Sequence, residues 1–414
     1  MSGPTPAGAT PPADDDAADP VADDLADAYV WGFPLLAIHR TRAGHGPAGV
    51  MHHRRRLSTA ADRTVVAPNN DTLYSSGFFD LRRGDLVIDV PPLDPARYWS
   101  VMLLDAYTNV QYVCRRLHGS AGATVRVRLD PHTPPDPDRP HEVVPVATPT
   151  VWVLARVVVD GPDDLDAAAA VQAALRVEQD PRPAPAPAAR AGSPAPRGGD
   201  DGDWLAALAD ALAEDPPAPW DVPPPAALGT LLAGPPADPD AVAEGRRRGA
   251  RRIRRHGLGA DVHGNGWGTR RRGADYGGDP LVRAAVARFA LAAHLPAENR
   301  TYTRPHDGRQ GATLRFGPGD APPVHGFWSL CCYGTDGFFV PNELGRHSVG
   351  NRTAGLRRDP DGGLTIDLGP RPPADPANWL PTPEGPCVLA LRAYEGGPEV
   401  VAARWFPPDL GPAR

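Results

Sequence analysis

Alternating apolar and polar positions, broken by turns rich in Asp, Gly and Pro, set the pattern of this chain. Leu73–Leu81, Leu86–Val90, Trp99–Asp105, Val110–Arg115, Thr124–Leu129 and Val151–Val159 each have the length and residue types of a strand, and together they predict a β-sandwich. In Trp99–Asp105, the residues Trp99, Val101 and Leu103 alternate with Ser100, as a strand buried on one face does. β signals return at Ala312–Phe316, Val324–Tyr333, Gly337–Val340, Leu364–Leu368 and Cys387–Tyr394, predicting a second all-β unit, a jelly roll or sandwich. Helical periodicity appears at Val21–Arg40, with a kink expected at Gly32 and Pro34, and again at Asp163–Glu178, Trp204–Ala213, Val242–His256 and Leu281–His294. Asp279 is placed to cap the last of these, with Pro280 at its first position.

Composition then divides the chain. Residues 1–20 are acidic and proline-rich, without a basic start or an apolar core, and read as a disordered tail, not an export signal. Residues 181–203 (PRPAPAPAARAGSPAPRGGDDGD) cannot bury a core and read as a linker. The expected organisation is tail 1–20, β-sandwich with an N-terminal helix 21–180, linker 181–203, helical segment 204–298 and a second β domain 299–408. No stretch is long and apolar enough to be a spanning helix, so a cytoplasmic protein with no membrane partner is expected. All 43 basic residues are arginine. The absence of lysine excludes Schiff-base chemistry, pyridoxal phosphate attachment, the phosphate-loop lysine and Ser-Lys dyads. It also fits a GC-rich coding bias, which discounts much of the Arg, Ala and Pro content as a functional signal.

Three polar clusters stand out at strand ends. Pro68-Asn69-Asn70-Asp71-Thr72-Leu73-Tyr74-Ser75-Ser76 packs two amides, a carboxylate, three hydroxyls and a phenol into nine residues. Asp105-Ala106-Tyr107-Thr108-Asn109 closes an expected hairpin, and Pro341-Asn342-Glu343 through Asn351-Arg352-Thr353 forms a long loop. Each reads either as turn chemistry, in which Asn, Asp and Arg bond local backbone, or as a ligand surface held by a rigid sheet.

Other features carry less. His39, His45, His52 and His53 match no standard ligand spacing, so no metal is expected. Gly44–Gly49 fits a dinucleotide fingerprint literally but has Pro47 where the helix should begin, and no cofactor is implied. The arginine run Arg246–Arg255 reads as a solvated helix face, and the net charge of −7 gives no reason to expect nucleic acid. Cys114, Cys331, Cys332 and Cys387 read as buried thiols.

The ordered blocks resemble a known family, the proteins pairing domain of unknown function 1254 with domain of unknown function 1214. In the first half the resemblance rests on Pro68–Ser76, Val90-Pro91, Leu104-Asp105-Ala106, Thr108-Asn109 and Thr150-Val151-Trp152. It continues through Asn265-Gly266-Trp267, Phe327-Trp328-Ser329-Leu330, Asp336–Asn342, Gly350-Asn351-Arg352-Thr353 and Asn378-Trp379-Leu380-Pro381. It implies a mainly β fold with α: an N-terminal immunoglobulin-like β-sandwich, a helical middle segment and a C-terminal jelly-roll-like β-sandwich. It implies no activity.

Two functions follow from the residues, with a structural or scaffolding role as the third. In the first, a small polar or glycan-like ligand sits in a cleft between the β domains. Its contacts would be Asn70, Tyr74, Thr108, Asn109, Trp328, Asn342, Arg346, Asn351, Arg352 and Trp379, where the aromatics offer stacking surfaces. In the second, a hydrolase or lyase uses Asp71, Asp105 or His347 as acid and base, with Arg346 or Arg352 holding an anion.

Overall fold

Strand-forming runs and tight turns build two β-sandwiches in the computed structural model, which describes residues 19–63, 67–180, 204–234 and 238–413. The expected linker, and the expected tail as far as residue 18, lie outside the described residues. The first sandwich uses β1 (His52–Arg54), β2 (Thr72–Asp80), β3 (Leu86–Val90), β4 (Trp99–Asp105), β5 (Val110–Cys114), β6 (Ala123–Leu129), β7 (Val143–Val146), β8 (Thr150–Val158) and β9 (Arg176–Gln179). They form a five-stranded sheet, β1-β2-β8-β4-β5, and a four-stranded sheet, β7-β6-β3-β9. Alternate residues such as Val101, Leu103, Val151 and Val153 meet Leu86, Ile88, Val125 and Val127 across the gap and form the sandwich core.

The other face of the five-stranded sheet is covered by helices. The helices in chain order are α1 (Pro20–His45), α2 (Arg115–His118), α3 (Leu165–Ala174), α4 (Trp204–Glu214), α5 (Ala226–Ala233), α6 (Pro239–His256), α7 (Pro280–Phe289) and α8 (Pro398–Val401). α1, α4, α5, α6 and α7 share one apolar cluster with Phe78, Met102, Leu104, Trp152 and Leu154 of the sheet. The helical segment is thus a layer on the first sandwich. α1 continues through both Gly32 and Pro34, and the glycine admits α4, since a Cβ there would lie 2.6 Å from Leu208 Cδ1. Gly245 and Gly249 let α6 approach Leu25 and Tyr29 of α1 in the same way. Part of the arginine run is therefore interfacial: Arg248 pairs with Asp23 at 3.2 Å and Arg252 with Asp27 at 2.5 Å.

The second sandwich comprises β10 (Val262–Gly264), β11 (Trp267–Thr269), β12 (Asn299–Asp307), β13 (Ala312–Phe316), β14 (Trp328–Gly334), β15 (Ser348–Gly350), β16 (Leu364–Gly369), β17 (Trp379–Pro381), β18 (Pro386–Tyr394) and β19 (Leu410–Gly411). A six-stranded sheet, β10-β11-β12-β18-β14-β15, faces a four-stranded sheet, β17-β16-β13-β19. Trp267, Tyr302, Trp328, Leu330, Leu389 and Leu391 close over Leu314, Phe316, Ile366 and Leu368.

Several expectations shift. The helix expected at Asp163–Glu178 stops at Ala174, and Arg176–Gln179 becomes β9 because Leu175 and Val177 complete the sandwich core beside β3. The helix expected to reach His294 ends at Phe289, though Asp279 caps it and Pro280 opens it as expected. Gly337–Val340 forms only a single bridge, Tyr333 to Phe339. The interior strand β12 is a gain; its Arg, Thr, Pro and His residues hid it from a hydropathy reading. Among the described residues no helix is long and apolar enough to cross a membrane.

Candidate functional site

The alternation that gives each sandwich its core leaves its other sheet face to be covered, and near the domain boundary that face is polar in both sandwiches. In the five-stranded sheet the pairing register aligns Tyr74, Arg156, Ser100 and Cys114 in one row across β2, β8, β4 and β5. In the six-stranded sheet, Arg392 lies beside Ser329 and Cys331 beside Ser348. The two polar faces meet with the segment Ala67–Asp71 between them.

Asp71 docks the first domain onto the second. Its carboxylate accepts the hydroxyls of Ser329 at 2.6 Å and Ser348 at 3.1 Å. Burial pushes this carboxyl above the usual range, against the pull of the two serines and Arg392. Arg392 donates to the Ala67 carbonyl at 3.0 Å and to the Tyr333 hydroxyl at 2.6 Å, and Tyr333 donates to the Pro68 carbonyl at 2.7 Å. Asn69 donates to the Tyr394 hydroxyl. Tyr394 is the centre of the junction: its phenol feels the charges of Arg392, Asp71 and Arg156 and lies close to Tyr74, and burial pushes its pKa up.

Beside it, Arg156 is 4% exposed. Its guanidinium lies 5.3 Å from the Tyr74 ring centroid and donates to the Ala292 carbonyl at 3.3 Å. Among the described residues it forms no ion pair within 4 Å, and its Nε has no hydrogen-bond partner. His294 stacks on Tyr112, with Nδ1 3.3 Å from the tyrosine hydroxyl. Burial first, then Arg156 and Arg392, hold this imidazole well below its ordinary pKa, so it is neutral. The Leu295 N–H donates to the Tyr112 hydroxyl at 3.1 Å, so the phenol turns its own proton to Nδ1, and the imidazole proton sits on Nε2, which also lacks a partner. Asn70, between Asn69 and Asp71 in the chain, likewise has a buried Oδ1 without a partner.

A cleft of about 320 Å³ opens between the domains beside this cluster, lined by Pro95, Arg115, Arg116, Ser120, His325 and Glu395. Arg115 clamps Glu395, the neighbour of Tyr394, and donates to the His325 carbonyl at 2.6 Å. Arg116 reaches the buried Glu298 at 3.3 Å, and Glu298 accepts the Tyr98 hydroxyl at 2.6 Å.

The other residues singled out from sequence lie elsewhere. Asp71 and Asp105 sit at opposite ends of the five-stranded sheet: Asp71 accepts the Val159 N–H, whereas Asp105 pairs with Val151. That separation is about 25 Å along the strand, so the two do not form one acid–base pair. Asp105 belongs to a network under the helices. It accepts the Asn109 amide at 2.9 Å; Asn109 also donates to Asp221 at 2.7 Å, and Arg283 forks onto Asp221 at 2.7 and 3.0 Å. Burial pushes Asp105 to about 7, with Asp221 adding to the rise. Thr108 holds a left-handed φ of 67° in this turn.

In the second domain, His347 stacks on Phe339 at 4.8 Å, and Asn342 ties its own loop to the Arg346 carbonyl at 2.9 Å. Arg346 donates to the carbonyls of Pro376 and Trp379 at 2.6 and 2.9 Å, and Asn351 accepts the Trp328 N–H at 2.9 Å. Trp328 is buried in the second core, and Trp379 donates to the Gly369 carbonyl at 3.0 Å. Arg352 bridges the domains through Asp160. Of the sequence candidates, Asn70, Asp71 and Tyr74 meet at the junction.

Arg156, Arg392, Tyr394 and His294 were not among those candidates. A signal existed for the two arginines: each is the sole charged residue of an otherwise apolar strand, β8 and β18. One further cluster has metal-ligand residue types, with His39, Glu214 and Asp215 within 4.8 Å of one another. Its groups already serve one another. His39 Nε2 lies 2.9 Å from Asp215, Arg42 forks onto Glu214 at 2.7 Å, and Asp215 accepts the Thr150 N–H at 2.7 Å.

Comparison with known proteins extends over nearly the whole chain. A family model described as Protein of unknown function (DUF1254) matches residues 48–179, and one described as Protein of unknown function (DUF1214) matches residues 293–398. Among solved structures, the VPA0106 protein from Vibrio parahaemolyticus is similar, with 21% identity and a TM-score of 0.69 over 95% of this chain and 100% of that one. An uncharacterized protein from Burkholderia cenocepacia is 13% identical with a TM-score of 0.45, over 93% of this chain and 88% of that one. No curated protein matches. The first of these structures shares the fold of this chain, and with both family models matched in order, the chain belongs to the proteins that pair domain of unknown function 1254 with domain of unknown function 1214.

Proposed function

We propose that this protein binds a small polar ligand at the junction of its two sandwiches, around Tyr394. The observation that carries the reading is Arg156, 4% exposed and without an ion pair among the described residues, beside the unpartnered His294 Nε2 and, next to Asp71 in the chain, the unpartnered Asn70 Oδ1. A junction built only to hold two domains together would pair such groups, because each unsatisfied one costs about 1–3 kcal/mol. Around them stand the rings of Tyr74, Tyr98 and Tyr394, apolar walls with polar tips of the kind that line ligand sites. The interdomain cleft opens at Glu395, the chain neighbour of Tyr394.

The test is a thermal-shift screen of polar metabolite-sized compounds on the wild type and on Asn70→Ala. A ligand selective for the native state raises Tm by mass action. The expected result is a compound whose shift is lost or strongly reduced in the variant. A screen in which every response is unchanged by the substitution refutes a site at this junction.

A further inference from the structure

We infer that the ligand of this junction carries a carboxylate, a compact monoanion, seated against the Arg156 guanidinium. This inference rests on the binding reading above and narrows it to one chemical class.

The first argument is charge. Burying a cation is costly unless an anion or full hydrogen bonding compensates it. Arg156 lies deep in the sheet face, yet its neighbours are tyrosines, a thioether and one backbone carbonyl. The carboxylates of the region are engaged elsewhere: Asp71 by Ser329 and Ser348, Glu298 by Tyr98 and Arg116. Among the described residues, Arg156 and Arg392 have only Asp71 as a nearby carboxylate, and burial favours its proton, so the cluster is left with positive charge that a ligand carboxylate would offset.

The second argument is donor direction. The unpartnered Nε of Arg156 is an N–H donor, and so is the unpartnered Nε2 of His294, because Tyr112 fixes the tautomer. The two side chains are neighbours: Arg156 donates to Ala292, two residues before His294, and its charge acts on the imidazole. A free N–H of the guanidinium and a free N–H of the imidazole beside it ask for an acceptor-only group, and a carboxylate is one that matches the planar fork of arginine. The tyrosine rings leave the remainder of the ligand an apolar body.

The experiment compares matched acid and amide pairs, benzoate with benzamide and phenylacetate with phenylacetamide among them, on the full chain by thermal shift and calorimetry at pH 7. The expected result is that at least one acid binds 10-fold or more tightly than its amide. Arg156→Met should weaken that acid about 100-fold while the ligand-free Tm is unchanged or higher, since an isolated buried charge is removed. Arg392→Met serves as the second variant if Arg156→Met does not fold, with a weaker loss of the acid expected. Equal binding of acid and amide, or full affinity of the acid in the arginine variant, overturns the inference. So does a panel in which no acid binds. Neutral compounds whose shift disappears in Asn70→Ala would then leave the binding reading standing, and their failure as well would remove both.

Discussion

Replacing Arg283 by Met tests whether Asp105 and Asn109 build the fold or act on a ligand. Arg283 and Asp221 form a forked ion pair with side-chain exposures of 8% and 4%, and Arg283 also donates to Asn109 Oδ1 at 3.2 Å and lies 4.9 Å from the Tyr276 ring centroid. Without the guanidinium, Asp221 and Asp105 face each other through Asn109 with no cation in their network. Breaking a buried pair from one side costs about 3–5 kcal/mol. Against a total stability of about 5–15 kcal/mol, that is a large share.

The pH dependence fixes the sign. In the wild type, burial raises the Asp221 carboxyl but Arg283 more than offsets it and holds it below its ordinary range, so this pair stabilises above that range and is lost in acid. In the variant both carboxyls gain protons readily, so the destabilisation is largest near pH 8 and shrinks toward pH 5.5. Urea unfolding followed by fluorescence at the two pH values measures this, with Arg283→Lys expected between the two proteins because it keeps the charge and loses the fork. A loss under about 1 kcal/mol at pH 8, or one that grows toward acid, refutes the account of a buried structural pair.

Three other outcomes follow from the same geometry. Asp105 binds its proton more tightly folded than unfolded, so its contribution falls as pH rises from about 4 to about 7, and Asp105→Asn should flatten stability over that window in a pH-resolved melting series. Thr108→Gly should stabilise by about 1 kcal/mol in denaturant titrations, because it relieves a β-branched residue at φ 67° and removes a buried hydroxyl without a partner, partly offset by backbone entropy. Leu208→Ala should destabilise by about 2–5 kcal/mol in the same titrations, because Gly32 of α1 leaves that side chain to fill the gap between two helices.

The chain alone determined a good deal. Strand periodicity placed β2, β3, β4, β5, β6, β8, β13, β16 and β18 to within one residue at each end, because each has one face in a sandwich core and carries the period of two that burial imposes. The Asp279-Pro280 start of α7 was equally legible, being set by a cap and a ring within two residues. The polar stretch Pro68–Ser76 stood out for its density, and its first part, Pro68–Asp71, lies where the domains meet, whereas Ser75 and Ser76 bond His53 and His45 within the first domain.

What tertiary structure decided is which polar faces are covered. A serine, arginine or tyrosine alternating with core residues has the same sequence signature whether its face meets water or a second domain, so Arg156, Ser329, Arg392 and Tyr394 gave no periodic sign of their burial. The same ambiguity hid β12, a central strand whose residues look solvent-facing until β11 and β18 pair with it. It also paired Asp71 with serines 258 and 277 residues further along the chain, not with Asp105. Local pattern fixes an element and its inner face; the partner of the outer face is set by long-range packing, and the candidate ligand site of this protein lies on that outer face.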